Sequence, residues 1–238
     1  MTTKKVKVKV MKKKKKLNTK KFLITIILVL LLSLTFVDII NLPVKNIYIK
    51  GNSTLSDKTI ISLSHLENYP PHIKTCFLDI KEKLLANEYI KDVKIKRTIT
   101  RKIYIEIEEY KPLAIYNNKL ILSSKKQIDN LYNINYVPYI TNNIDNIYDK
   151  FVTSLNEVNQ EILLKISHIE YTPNEVDKER FLMYMVDSNY VYITLSKIEK
   201  INKYNSIVKK LENKKGIIYL DSGDYVEIKG WHNKTLII

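Results

Sequence analysis

The chain is poor in the residues that mark several large classes of protein: among 238 positions there are one cysteine, four glycines, six prolines and one tryptophan. The single cysteine, Cys76, excludes an intramolecular disulfide framework and any C-x-x-C zinc or redox site. So few glycines and prolines exclude collagen-like and low-complexity architectures, and no glycine-rich loop is present to cradle a phosphate. The four histidines, His65, His72, His168 and His232, form no i, i+4 pair and no H-E-x-x-H. S-x-x-K occurs twice, at Ser123 to Lys126 and at Ser206 to Lys209, without S-D-N or K-T-G companions. Chance alone yields about two such matches in a chain this rich in lysine, so neither marks a nucleophile. Glu106 and Glu108 alternate along one strand and read as its solvated side, not as an acid/base pair. No catalytic, cofactor-binding or metal-binding residue is assigned, and the chain is expected to be non-enzymatic.

What is present is a strong asymmetry of charge. The formal net charge is +15, yet eleven lysines (Lys4, Lys5, Lys7, Lys9, Lys12 to Lys16, Lys20 and Lys21) precede Phe22 with no acid among them. Subtracting them leaves +4 for residues 22–238. A basic tail of this kind rests on anionic lipid headgroups and sets membrane topology. The remainder has no stripe of cations interleaved with stacking aromatics, so no nucleic acid is expected as a partner.

Directly after the lysines, Phe22 to Val37 reads FLITIILVLLLSLTFV, without a charge, and Ile39, Ile40 and Leu42 prolong the apolar character beyond Asp38. At 1.5 Å per residue this run brackets the hydrocarbon thickness of a bilayer. A cleaved signal peptide, a retained anchor and a buried core helix compete for it. Thr35 to Ile39 offers no A-x-A-like pair, and no polar face marks a core helix, which favours the retained anchor. Lysine asymmetry keeps the N-terminus in the cytoplasm and sends the C-terminal part across.

Beyond the anchor the patterning is mixed, and the fold class is α+β. Val44 to Ile49 alternates as a strand and ends in the turn pair Gly51-Asn52. Ser56 is placed to cap one helix and Asp79 a second. Val93 to Lys96 and Ile103 to Glu108 read as two further strands, so that β-α-α-β-β packs two helices on one face of a three-stranded sheet. Later, Lys119 to Leu122 and Tyr136 to Ile140 are extended, Asp145 to Ile166 reads as one helix, and Phe181 to Val186 with Tyr190 to Leu195 reads as a hairpin. A helix through Ile198, Ile201, Tyr204, Val208 and Leu211 precedes a last hairpin, Ile217 to Leu220 and Tyr225 to Ile228.

Residues 44–114 resemble the POTRA module of the DivIB/FtsQ family of bacterial cell-division proteins, which also carry a short cytoplasmic tail and one span. The resemblance lies in Val44, Ile47, Ile49, Gly51, Asn52, Leu55, Ile60, Phe77 and Leu84, in the run Tyr89 to Val93, in Ile95 and Arg97, and in Ile105 to Ala114 with its E-x-x-P-x-A, Glu109 to Ala114. The family's proline between the second and third strands is replaced by Thr98-Ile99-Thr100, and the glycine of its next turn by Ser123-Ser124-Lys125. The later residues are similar to the family's β domain. The resemblance implies a cytoplasmic tail at 1–21, a transmembrane helix at 22–42, a POTRA domain at 43–111, a mixed, strand-rich β domain at 112–230 and a tail at 231–238.

It also implies a non-enzymatic bitopic scaffold in the cell membrane at the division septum, N-terminus cytoplasmic and C-terminus extracytoplasmic, that helps to control septal peptidoglycan synthesis. Its partners would be small bitopic coiled-coil division proteins of the FtsB/DivIC and FtsL kinds and, through them, the septal peptidoglycan synthase. The implied contact surface is the last hairpin with the helix before it: Lys203, Tyr204, Ile217, Ile218, Tyr219, Leu220, Tyr225, Val226 and Ile228. Tyr219 and Tyr225 are the expected anchors, on a hairpin edge expected to be open because only residues 231–238 follow. A second docking edge is expected on the second POTRA strand. The alternatives are an envelope secretion or assembly factor using POTRA as a strand acceptor, an extracytoplasmic cell-wall enzyme, and a cytoplasmic DNA-binding protein with a basic arm.

Overall fold

The structure is a computed structural model that describes residues 18–212, 214–228 and 235–237. The lysine run up to Lys16, and with it the expected lipid contact of the tail, lies outside the described residues. Helix α1 (Thr19–Asn41) opens at Asn18, whose side chain accepts from the Lys21 N–H. The hydroxyls of Thr25, Ser33 and Thr35 donate back to carbonyls one turn earlier, so the polar atoms of this apolar segment are satisfied within it. At 23 residues, with none buried against protein, α1 is the one helix among the described residues long and apolar enough to cross a membrane. The chain is a single-pass membrane protein.

The first sheet contains β1 (Asn46–Lys50), β2 (Ile90–Arg97) and β3 (Lys102–Glu109), with α2 (Asp57–Leu63) and α3 (Phe77–Leu85) between β1 and β2. Its order is β1-β3-β2, with β3 parallel to β1 and antiparallel to β2. Alternation explains the layering: Ile103, Ile105 and Ile107 point inward against Ile60, Ile80 and Leu84 of the helices, while Tyr104, Glu106 and Glu108 face out. Ser56 caps α2, its hydroxyl accepting from the Thr59 N–H at 3.1 Å. Asp79 does not cap α3. The N-cap is Cys76, and Asp79 sits in the first turn, where a carboxylate faces the positive end of the helix and pairs with Lys83 at 2.9 Å.

The second sheet has ten strands. They are β4 (Pro112–Tyr116), β5 (Lys119–Leu122), β6 (Gln127–Asp129), β7 (Tyr139–Ile140), β8 (Ile166–Tyr171), β9 (Arg180–Met185), β10 (Tyr190–Thr194), β11 (Gly216–Tyr219), β12 (Tyr225–Ile228) and β13 (Thr235–Ile237). Their order is β13-β12-β11-β10-β9-β8-β7-β4-β5-β6. The helices α4 (Tyr148–Leu155), α5 (Gln160–Leu163) and α6 (Tyr204–Lys210), with a 3₁₀ stretch over Leu195–Lys203, bury Phe151, Leu155, Ile162, Ile198 and Ile201 against Phe181, Met183, Val191, Ile218 and Val226.

The helix read over Asp145 to Ile166 is broken into a 3₁₀ turn, α4 and α5, and Ile166 already belongs to β8. Tertiary partners take the backbone groups that a continuous helix would use. Asn202 accepts from the Asn159 N–H at 2.7 Å and donates to the Glu157 carbonyl at 3.1 Å, while the Lys111 ammonium donates to the Val158 carbonyl. The two sheets also share one apolar core. Ile115, Leu120, Leu122, Ile128, Ile134 and Val137 pack in the same cluster as Val44, Leu55, Tyr89 and Ile90, and the Tyr89 and Tyr132 rings meet edge to face at 4.9 Å.

Candidate partner-binding surface

The C-terminal strands present a row of stacked side chains on the face away from the helices. Register places Tyr192 opposite Tyr219 and Tyr219 opposite Tyr225, and period-two alternation turns all three outward. Their rings stack at 5.3 and 4.6 Å with interplanar angles of 20° and 15°. The Arg180 guanidinium closes the row, 3.7 Å above the Tyr192 ring. Arg180 is itself held by Asp221 in the β11–β12 turn at 2.7 Å, with only 18% and 9% of the two side chains exposed. The Tyr219 hydroxyl donates to Glu227 at 3.2 Å, and burial together with that carboxylate pushes it up to about 12.

Beneath this face a buried polar knot fixes where β11 begins. Asn189, 1% exposed, donates to Asp187 and Tyr204 and accepts from the Gly216 N–H at 2.9 Å. The Tyr204 hydroxyl donates to Asp187 at 2.7 Å. A Cβ at position 216 would stand 2.4 Å from the Glu227 carbonyl oxygen, so glycine is what lets β11 and β12 approach. Alongside, Lys200, Lys203 and Lys210 line a cleft of about 250 Å³ between the 3₁₀–α6 helix and the hairpin turn, where Lys200 pairs with Asp224 at 2.6 Å.

The residues expected to touch a partner therefore divide. Ile217, Tyr219 and Tyr225 lie half-buried on the outer face, and Lys203 is exposed in the cleft. Ile218, Leu220, Val226 and Ile228 are buried because alternation sends them into the core, and Tyr204 is buried on the inner face of α6; these side chains hold the hairpin in place without reaching its surface. The expected surface did not include Tyr192 and Arg180; the alternation of Tyr190 and Tyr192 around buried Val191 was the available signal. The open edge was also misplaced. Thr235–Ile237 pairs antiparallel with β12, so the outermost described strand at this end of the sheet is β13. Among the described residues, no cluster of His, Cys, Asp and Glu could hold a metal ion.

Comparison with known proteins finds matches to the β-α-α-β-β module and to most of the chain. Residues 42–110 match the family model of the FtsQ-type POTRA domain. The chain is 29% identical over 203 residues to cell division protein DivIB of Bacillus subtilis, a match covering 81% of this chain and 76% of that protein. It is 26% identical over 211 residues to DivIB of Brevibacillus brevis, covering 84% and 80%. The major extracytoplasmic domain of DivIB from Geobacillus stearothermophilus aligns loosely, with a TM-score of 0.37 and 18% identity over 44% of this chain and 96% of that domain. A POTRA module directly behind an apolar helix and similarity over four fifths of the chain point the same way: residues 42–110 form an FtsQ-type POTRA domain, in a chain similar to the bacterial cell division protein DivIB.

Proposed function

We propose that this protein is a non-enzymatic, single-span scaffold of the divisome whose folded part stands outside the cytoplasm at the septum and binds other division proteins there. The chain then divides into an anchor at 22–42, a POTRA domain at 43–111 and a partner-binding β domain from 112 that runs past the expected end at 230 to include β13, because Thr235–Ile237 pairs with β12. The role is positional. Confinement to the membrane raises the local concentration of the binding faces toward partners on the same bilayer, so single contacts can be weak.

One observation carries the choice of surface: the outward row of Tyr192, Tyr219 and Tyr225, locked at one end by the Arg180–Asp221 pair. It is a rigid aromatic platform beside a lysine-lined cleft, and it fits an extended segment that brings apolar side chains to the tyrosines and acids to Lys203 and Lys210. Such segments would come from the small bitopic coiled-coil proteins of the FtsB/DivIC and FtsL kinds, and through them the contact would reach the septal peptidoglycan synthase. The exposed edge of β2 on the first sheet is the second docking place.

The test is pull-down of the coiled-coil partners by Tyr219→Lys and Tyr225→Lys variants whose circular dichroism is unchanged. Loss of capture is expected, and undiminished capture removes this surface. An N-terminal fluorescent fusion should form a midcell band in dividing cells; uniform envelope signal would overturn the septal assignment. Protease added to intact spheroplasts should digest the C-terminal part, and protection there would reverse the proposed orientation.

A further inference from the structure

The end of α1 is locked to the base of the first sheet. The His72 N–H donates to the Leu42 carbonyl at 2.9 Å, the Val44 N–H donates to Pro70 at 3.0 Å, and Pro43 forms a bridge with Pro71. The Lys74 ammonium donates to the Asn41 side chain at 2.7 Å. A cleft of about 480 Å³ opens at this junction, and its walls include the last turn of the membrane helix. Its position relative to the bilayer surface is therefore set by the anchor itself.

The lining has two characters. Ile39, Leu42, Ile73 and Ile99 make it apolar, and Ile99 is fully exposed at the tip of the turn between β2 and β3. An isoleucine presented in this way is a liability in water and an asset among lipid. Arg97, Arg101 and His72 supply the polar end, and no carboxylate lines the cleft. Neither arginine forms an ion pair among the described residues. Arg97 lies over the Phe77 ring at 5.0 Å, and Arg101 reaches only the Pro43 carbonyl at 3.4 Å. His72 is 7% exposed, and its Nε2 has no hydrogen-bond partner. A buried ring nitrogen without a hydrogen-bond partner thus lies beside two guanidinium groups that no carboxylate neutralises, a lining suited to an anion. Burial, reinforced by Arg97 and Arg101, holds the imidazole below its ordinary value, so at neutral pH it is an uncharged ring with one N–H to give.

We propose that this cleft binds the headgroup phosphate of an anionic phospholipid from the leaflet on which the folded part stands, through Arg97, Arg101 and the His72 Nε2–H, while Ile73 and Ile99 enter the acyl boundary. Forked guanidinium donors match phosphate oxygens, and the apolar wall distinguishes a lipid from a soluble anion. The proposal needs α1 in a bilayer and is independent of partner docking at β11–β12.

Native mass spectrometry of the full chain in detergent, titrated with dioleoyl phosphatidylglycerol or dioleoyl phosphatidylcholine, tests it. Phosphatidylglycerol should bind about tenfold more tightly or better, and Arg97→Gln with Arg101→Gln should erase most of that preference at an unchanged melting temperature. Equal binding of the two lipids, an unchanged preference in the double variant, or displacement by millimolar inorganic phosphate would each overturn the lipid assignment. A nitroxide at Ile99→Cys in a Cys76→Ser background, read in phosphatidylglycerol nanodiscs, should report burial at or below the headgroup level. A fully water-exposed label would sink the proposal even where lipid is retained.

Discussion

Glu109, the last residue of β3, holds the loop at Thr54: its Oε2 accepts from the Thr54 N–H at 2.7 Å. The same carboxylate also accepts from the Ser53 N–H and hydroxyl and from the Leu55 N–H. Gly51 begins this loop with φ +85° and with a position where a Cβ would meet the Ile107 carbonyl oxygen at 2.1 Å. The glycine and the glutamate therefore serve one turn, and the first residue of E-x-x-P-x-A has a structural task. Glu109→Ala would strip an acceptor from three backbone donors, and we expect a loss of about 2–3 kcal/mol in urea unfolding. A loss below about 0.5 kcal/mol would show that water replaces the clamp.

Arg180 and Asp221 form the least exposed ion pair among the described residues, and they join β9 to the β11–β12 turn. Removing one partner leaves a desolvated charge. Arg180→Met is expected to destabilise by about 3–5 kcal/mol, and the double change Arg180→Met with Asp221→Leu by clearly less. A double-mutant cycle on the unfolding midpoint measures the difference. Equal losses in the single and double variants would mean that packing, not charge, is what Arg180 supplies.

Alkaline pH should loosen the same region. The Tyr184 hydroxyl is pushed up to about 12, first by its hydrogen bond to Glu170 and then by burial, and Tyr219 stands at about 12 as well. Burial raises Tyr204 too, with Asp187 adding to it. The folded state holds these protons more tightly than the unfolded chain, where a tyrosine titrates near ~10. The resulting stabilisation is complete below pH ~10 and is lost as pH rises from there through 12. Urea midpoints measured across that window should fall, and Tyr184→Phe or Tyr219→Phe should flatten the fall.

The pairing of β13 with β12 occupies the edge that a partner strand would join. Three residues form a weak competitor, since so short a strand contributes few ladder bonds. Truncation after Gly230 should therefore strengthen capture of a coiled-coil partner several-fold, as read by surface plasmon resonance. Weaker capture would mean that β13 belongs to the receiving surface.

Much of this was legible in residue order because the physics was local. Alternation marked β3 and β10, Ser56 announced α2, and sixteen uncharged residues announced α1. Other elements were hidden where tertiary contacts decide. β4 buries all five of its residues, so period two is absent, and the break after α4 is held by Asn202 from more than forty positions away. At the candidate surface, Tyr204 was expected as a contact from the family resemblance, although its helical spacing puts it on one face with Ile198, Ile201 and Leu211, which are buried. Its hydroxyl in fact ends on Asp187 within the core. The basic cleft at Arg97 and Arg101 had no sequence signature, since the fold alone brings Pro71, His72 and the end of α1 to the same place.

The apolar cluster shared by the two sheets has a mechanical outcome. With Ile115, Leu122 and Val137 sunk among Val44, Leu55 and Ile90, the first sheet and β4–β6 pack as one body, so the start of the second sheet takes its orientation from the module that follows α1. The last hairpin belongs to a separate core and joins that body along the sheet through β7, a strand of two residues.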